Sequence, residues 1–123
     1  MRRSEFREKV VFLMYIKSID GEFEKDDYSK EILVRFEDIN QHLSEVDEVI
    51  SNNLVGYTID RLNFVDLAIV RNAVFEMMFT KLPTEIAINE AINLTKKFSN
   101  LDDDAAKRFN NKLLDNIKNS LNK

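Results

Sequence analysis

The sequence predicts an all-α fold, on three observations. The 123 residues include only two Gly and one Pro, too few for the many tight turns of an all-β chain. Apolar residues recur at close to the 3.6-residue helical period in stretch after stretch. One segment, 64–80, is apolar on nearly every side, as a helix wrapped by others must be. The length is that of one domain, expected to span 1–123, with 44% hydrophobic and 33% charged residues, an ordinary globular balance.

The elements follow in order. Residues 4–18 form a first helix with Ser4 as its N-cap and a stripe of Phe6, Val10, Leu13 and Lys17, widened by Met14. "SIDGEFEKDD" is a loop hinged at Gly21. A second helix runs from about Asp27 to Glu37, with Tyr28, Ile32, Leu33 and Phe36 on one side. Ser44 opens a third, faced by Val46, Val49, Ile50 and Asn53 and closed by Gly56, since glycine favours the position after a helix. "YTIDRLN" links to the apolar fourth helix, Phe64 to Thr80. Pro83 sets up a fifth, Thr84 to Ser99. Its wheel puts Ala87, Ile88, Ala91, Leu94, Thr95 and Phe98 inside, and Asn89, Glu90, Asn93, Lys96 and Lys97 outside. The sixth begins at Asp102–Asp104, which supply a cap and negative charge at the positive helix end, and carries the ladder Phe109, Leu113, Ile117, Leu121.

Composition excludes several functions. There is no cysteine, hence no disulfide, thiolate metal site or cysteine nucleophile. No run of about 18 apolar residues suggests a membrane span, and the N-terminus lacks the apolar core of a signal peptide. A cytoplasmic protein without membrane contact is expected. The net charge is −4, against wholesale coating of nucleic acid, but it is uneven. Residues 1–17 hold Arg2, Arg3, Arg7, Lys9 and Lys17 against Glu5 and Glu8, a net +3, whereas residues 20–31 hold six acids against Lys25 and Lys30, a net −4. A local anion site at the N-terminus fits that asymmetry. The acids of "DGEFEKDDYSKE" superficially follow a calcium loop, but Lys25 stands where the sharp turn needs glycine. His42 is the only histidine and has no obvious partner. No nucleophile–base set, metal cluster or phosphate-cradling loop is present. No catalytic residue, metal or cofactor is assigned.

Order and spacing carry a more specific signal. Tyr57, Asp60-Arg61-Leu62, Ile69-Val70-Arg71, Phe75-Glu76, Pro83 and Ala87-Ile88-Asn89-Glu90-Ala91 follow one another along the chain, after an Arg-rich first helix ending in Met14-Tyr15. This pattern, over most of the sequence, resembles the NusB family. It departs from the family near Arg108-Phe109-Asn110-Asn111-Lys112, where Asn110 and Lys112 replace the usual Val and Gly, and the loop before it looks longer. The chain is thus similar to a divergent member.

The resemblance implies a compact bundle of about six or seven helices in two packed subdomains. It implies a protein that acts without chemistry, pairing with a small-subunit ribosomal protein, called NusE in this role. Together they bind boxA-type single-stranded RNA and serve the transcription elongation complex, notably on ribosomal RNA operons. It suggests Arg2, Arg3, Arg7 and Arg71 as RNA contacts, compatible with guanidinium–phosphate pairing, and Phe109 for base stacking, although the helical ladder argues for a core Phe109. It places Tyr15 and Glu76 at the NusE contact. Tyr15 suits a rigid interface anchor. Glu76 interrupts an apolar run and needs water, a partner protein or an internal pair with Arg71 or Arg61. Asn89 and Glu90 are read as fixing nearby loop and helix ends, and Asn111 has no role assigned by physics. Two alternatives remain: an interaction module of the same fold that has lost RNA binding, and a relative of the NusB-like domain attached to RNA cytosine methyltransferases, for which the chain has no room for a cofactor domain.

Overall fold

The structure is a computed structural model and describes residues 1–99 and 104–123. Among these residues there are six α-helices and no strand: α1 Arg3–Ser18, α2 Lys30–Gln41, α3 Leu43–Asn52, α4 Phe64–Phe79, α5 Thr84–Phe98 and α6 Ala105–Ser120, with short 3-10 turns at Lys25–Asp27 and Ile59–Arg61. The all-α expectation holds.

Helix α4 is the hub. It packs against α1, α3, α5 and α6, while α2 lies across α1 and α3. Eleven of its residues are buried, including Ile69, Val70 and Val74. A helix apolar all round has no solvent face to offer, so its neighbours must enclose it. Val10, Leu13 and Met14 of α1, Val46 and Ile50 of α3, Ala87 and Ala91 of α5, and Leu114 and Ile117 of α6 complete one connected core. Two groups of helices thus meet around α4, the N-terminal α1–α3 and the C-terminal α5–α6.

Several helix ends differ from expectation, each for a local reason. Helix α1 starts one residue earlier, with Arg2 at the N-cap position and no side-chain cap. Ser4 therefore lies in the first turn. Helix α2 starts three residues later, because Ser29 caps it by accepting from the Ile32 N–H at 3.3 Å. Phe23 stacks edge-on against Tyr28 and Phe36, tying the acidic loop to α2. Helix α3 begins at Leu43 and ends at Asn52, so Gly56 does not terminate it. Asn53 ends it instead, its amide donating to the Val49 carbonyl at 2.9 Å. Gly56 makes a left-handed turn in the linker that follows, at φ +65°.

The expected cap at Asp102 and Asp103 lies outside the described residues. Asp104 does occupy the N-cap of α6, in a left-handed conformation and with no side-chain cap. Phe98 and Phe109, placed in the core by periodicity, are 47% and 39% exposed. Phe98 is the last residue of α5, and Phe109 lies in the second turn of α6.

A buried polar cluster locks α4, α5 and α6 together. Asn63 caps α4 by accepting from the Asp66 N–H at 2.8 Å, and its amide donates to the Asp66 carboxylate at 2.7 Å. Ser99 donates to the same carboxylate at 2.5 Å. Asn110 donates to Asp66 at 3.1 Å and to Thr95 at 3.0 Å. The substitution of Asn for the family's usual Val thus sits inside the fold. Its carbonyl oxygen, Oδ1, has no hydrogen-bond partner among the described residues.

Buried donors left without an acceptor cost about 1–3 kcal/mol each. Asp66→Ala, which orphans both Ser99 and Asn110, is expected to cost at least about 2 kcal/mol. Asn110→Val removes the orphan carbonyl and leaves Asp66 its bonds to Ser99 and Asn63, so it costs less. Urea unfolding midpoints of the two variants check the order.

Candidate RNA and partner surfaces

The structure separates the N-terminal arginines. Arg2 and Arg3 are exposed; Arg2 lies 3.8 Å from Glu5, and Arg3 3.2 Å from Glu31 of α2. Both stay free to exchange those loose pairs for phosphate, since exposed ion pairs contribute little. Arg7 is different. It is only 6% exposed and projects between α4 and α5. Its Nε and Nη2 donate to both oxygens of Glu76, at 2.7 Å for the shortest bond, and its Nη1 lies 3.6 Å from Glu90. Asn72 donates to Glu76 as well, at 3.1 Å. Burial opposes the charge on Arg7, but the hydrogen bonds and charge of Glu76, with the charge of Glu90, outweigh it and raise its pKa.

Three expectations change in consequence. Arg7 was grouped with the phosphate contacts, yet its fork is filled by carboxylates inside the fold. Glu76 was a contact for a partner, with Arg71 or Arg61 as its internal alternative. It is 3% exposed, and the arginine that meets it is Arg7. The carboxylate lies on the side of α4 that faces α1, so an arginine from α1 reaches it first. Glu90 is an anchor too, joining α5 to α1 rather than fixing a loop.

Arg71 is likewise engaged within the fold. It makes a bidentate pair with Asp47 of α3, at 2.9 and 2.8 Å, and touches Ser18 at 3.4 Å. Phe109 faces outward beside Tyr57, ring centroids 5.7 Å apart. The two rings border a shallow recess with Leu54, Val55 and Lys112. Tyr57 is 43% and Val55 91% exposed. An open aromatic pair beside a lysine offers π-faces and a cation, the two elements that hold single-stranded nucleic acid. Tyr57 was visible in the sequence as a motif residue, but its pairing with Phe109 joins positions 52 residues apart and has no local signal. His42, without an obvious partner in the sequence, stacks on Phe79 at 4.1 Å and lies 3.0 Å from Glu45.

Tyr15 lines a separate groove of about 470 Å³ between α1, the start of α4 and the end of α5. Its walls include Val11, Phe12, Tyr28, Val65 and Phe98, with Glu8 and Lys9 at the rim. Phe12 is 51% exposed. It stands off the α1 stripe, and the sequence signal for this surface is Tyr15, through the family resemblance. Exposed aromatic side chains around a concave apolar floor suit a protein contact.

Removing one member of a buried ion pair strands the other charge, at about 3–5 kcal/mol. Arg7→Met is expected to lose stability on that scale, and Arg7→Met with Glu76→Leu to recover most of it. A double-mutant cycle of unfolding free energies measures the coupling.

Comparison with known proteins agrees with this architecture. The model of the NusB family matches residues 22–119. A transcription antitermination protein NusB of Bacillus velezensis is 42% identical over 102 residues, covering 82% of this chain and 73% of that protein. Among solved structures, T. maritima NusB superposes with a TM-score of 0.82 at 26% identity, over 97% of this chain and 92% of that one. The antitermination factors NusB and NusE in complex with double-stranded RNA include a chain of the same fold, with a TM-score of 0.78 at 22% identity over 96% of each chain. With a family model matching most of its length and a relative 42% identical over 82% of it, the chain belongs to the NusB family of transcription antitermination proteins.

Proposed function

We propose that the chain is a non-enzymatic antitermination adaptor of the cytoplasm. It binds boxA-type single-stranded RNA together with the ribosomal protein NusE, and through the elongation complex supports ribosomal RNA transcription. The observation that carries this reading is the outward-facing Tyr57–Phe109 pair beside Lys112, because a helical core has no use for two large rings held in water. The chain's membership in the NusB family and its likeness in fold to a NusB seen with NusE and RNA support the choice of partners.

Roles divide by exposure. Arg2 and Arg3 contact phosphate, and Tyr57 and Phe109 stack on bases. Tyr15, with Phe12 and Phe98 around the groove, receives NusE. Arg7, Arg71 and Glu76 act through the fold: Arg7 and Glu76 fix α1 on α4, and Arg71 fixes α3.

A second reading, an interaction module without RNA binding, draws on one observation. Two of the four candidate arginines are neutralised by internal carboxylates, leaving few cations for phosphate. With two phosphates neutralised the log–log salt slope is only about −1.4, at about 0.7 per phosphate on a single strand. RNA binding by this chain alone is accordingly weak and leans on NusE.

Fluorescence anisotropy of a labelled boxA-like strand, with and without NusE and at several salt concentrations, separates the readings. The adaptor reading expects binding strengthened by NusE and weakened by salt. Tyr57→Ala with Phe109→Ala is expected to weaken it by about 1–3 kcal/mol per base unstacked, with unfolding midpoint unchanged. NusE capture without RNA binding would leave the interaction module. Phe12→Asp in the groove is expected to reduce NusE binding tenfold or more while sparing the weak binding of RNA alone.

A further inference from the structure

The N-terminal cations have a neighbour from another helix. Arg35 of α2 lies with its guanidinium carbon 5.5 Å from the ring centroid of Phe6 and 5.5 Å from that of Phe75. Arg3 lies over the same Phe6 ring, at 4.9 Å. Both rings are buried, 5% and 4% exposed, so Arg35 lies against two fixed rings and shares one of them, Phe6, with Arg3. Arg2, Arg3, Arg7 and Arg71 each have a carboxylate within 4 Å. Arg35 is half-buried and, among the described residues, has neither an ion pair nor a hydrogen bond to its N–H groups. Glu31, one turn earlier on α2, is engaged by Arg3.

That arrangement is specific to the shape of arginine. A guanidinium held over aromatic rings by its charge still carries five N–H donors in a rigid fork. Cation–π contact helps hold the guanidinium in place, but it satisfies none of those donors. A partly desolvated cation with its donors unspent is matched by an anion with several acceptor oxygens, and phosphate offers bidentate geometry. Arg3 on the same ring supplies a second fork for that phosphate or the next one along a strand.

We propose that Arg35, with Arg3, forms a phosphate clamp that carries the bound RNA strand from the start of α1 across α2. The proposal rests on the RNA reading given above and adds to it a contact on a different helix. Phe6 and Phe75 position the clamp, and Glu31 restrains Arg3 until phosphate replaces it.

The probe is a labelled boxA-like single strand, titrated with the full chain and NusE at four salt concentrations. Arg35→Gln removes the charge and keeps much of the stem. It is expected to weaken RNA binding about fivefold to tenfold at low salt and to make the log–log slope shallower by about 0.7, one phosphate's worth. Arg35→Lys keeps the slope and loses only part of the affinity, because it keeps charge but not the planar fork. NusE capture and the unfolding midpoint of both variants report on folding. If the unaltered chain binds in a salt-dependent way and Arg35→Gln binds with the same affinity and slope, the clamp is wrong and the RNA reading stands. If Arg35→Gln loses affinity and stability together with its slope unchanged, Arg35 is a packing residue and the clamp is again wrong. If the unaltered chain binds no RNA with or without NusE, both fall.

Discussion

The fold depends on one constraint, that α4 has no face suited to water. Its sixteen residues include eleven that are buried, so four other helices are obliged to surround it. Its buried Glu76 then becomes the point of highest cost within the core. An isolated carboxylate there would lose its hydration without return. Arg7 answers it with a bidentate pair, Asn72 adds a third donor, and Glu90 balances the remaining side of the guanidinium. These contacts set where α1 lies relative to α4 and α5. The buried Asp66 in the first turn of α4 does the same for α6 through Asn110 and for the end of α5 through Ser99.

Once those charges are committed inward, the surface is defined by what is left over. Arg7 and Arg71 are committed to carboxylates; Arg2, Arg3 and Arg35 remain near the start of α1 and the middle of α2. Phe98 and Phe109 sit toward the ends of α5 and α6, and Phe12 sits off the buried stripe. Four exposed aromatics therefore gather in two places, Tyr57 and Phe109 at the recess beside α6 and Phe12 and Phe98 at the groove beside Tyr15. The basic edge, the aromatic recess and the apolar groove are separate surfaces of one small body. An adaptor that holds RNA and a protein at once needs that separation.

The sequence was legible where the determinants are local. Helical period, the scarcity of glycine and proline, and the all-round apolarity of 64–79 predicted the elements and the hub, and the motif spacing from Tyr57 to Ala91 pointed to the family. Helix starts were less legible: Ser29 rather than Asp27 caps α2 because its hydroxyl meets the Ile32 N–H, and α3 starts after His42 with no side-chain cap. Asn110 looked like a departure at a binding surface and is a core residue, because its place on α6 faces Thr95 and Asp66.

By itself, then, the sequence determined the fold class, the central helix, the family and the types of residue available for RNA and protein contact. Only the tertiary structure decided which of those residues are free. Arg2, Arg3 and Arg7 look alike on a basic first helix, yet the angular step of the helix turns Arg7 toward a carboxylate 69 positions away. Arg35, which no motif marked, joins Arg3 because the Phe6 ring lies beneath both. Pairing between distant residues depends on how helices are rotated and packed, and that rotation is fixed by the whole core rather than by any local stretch.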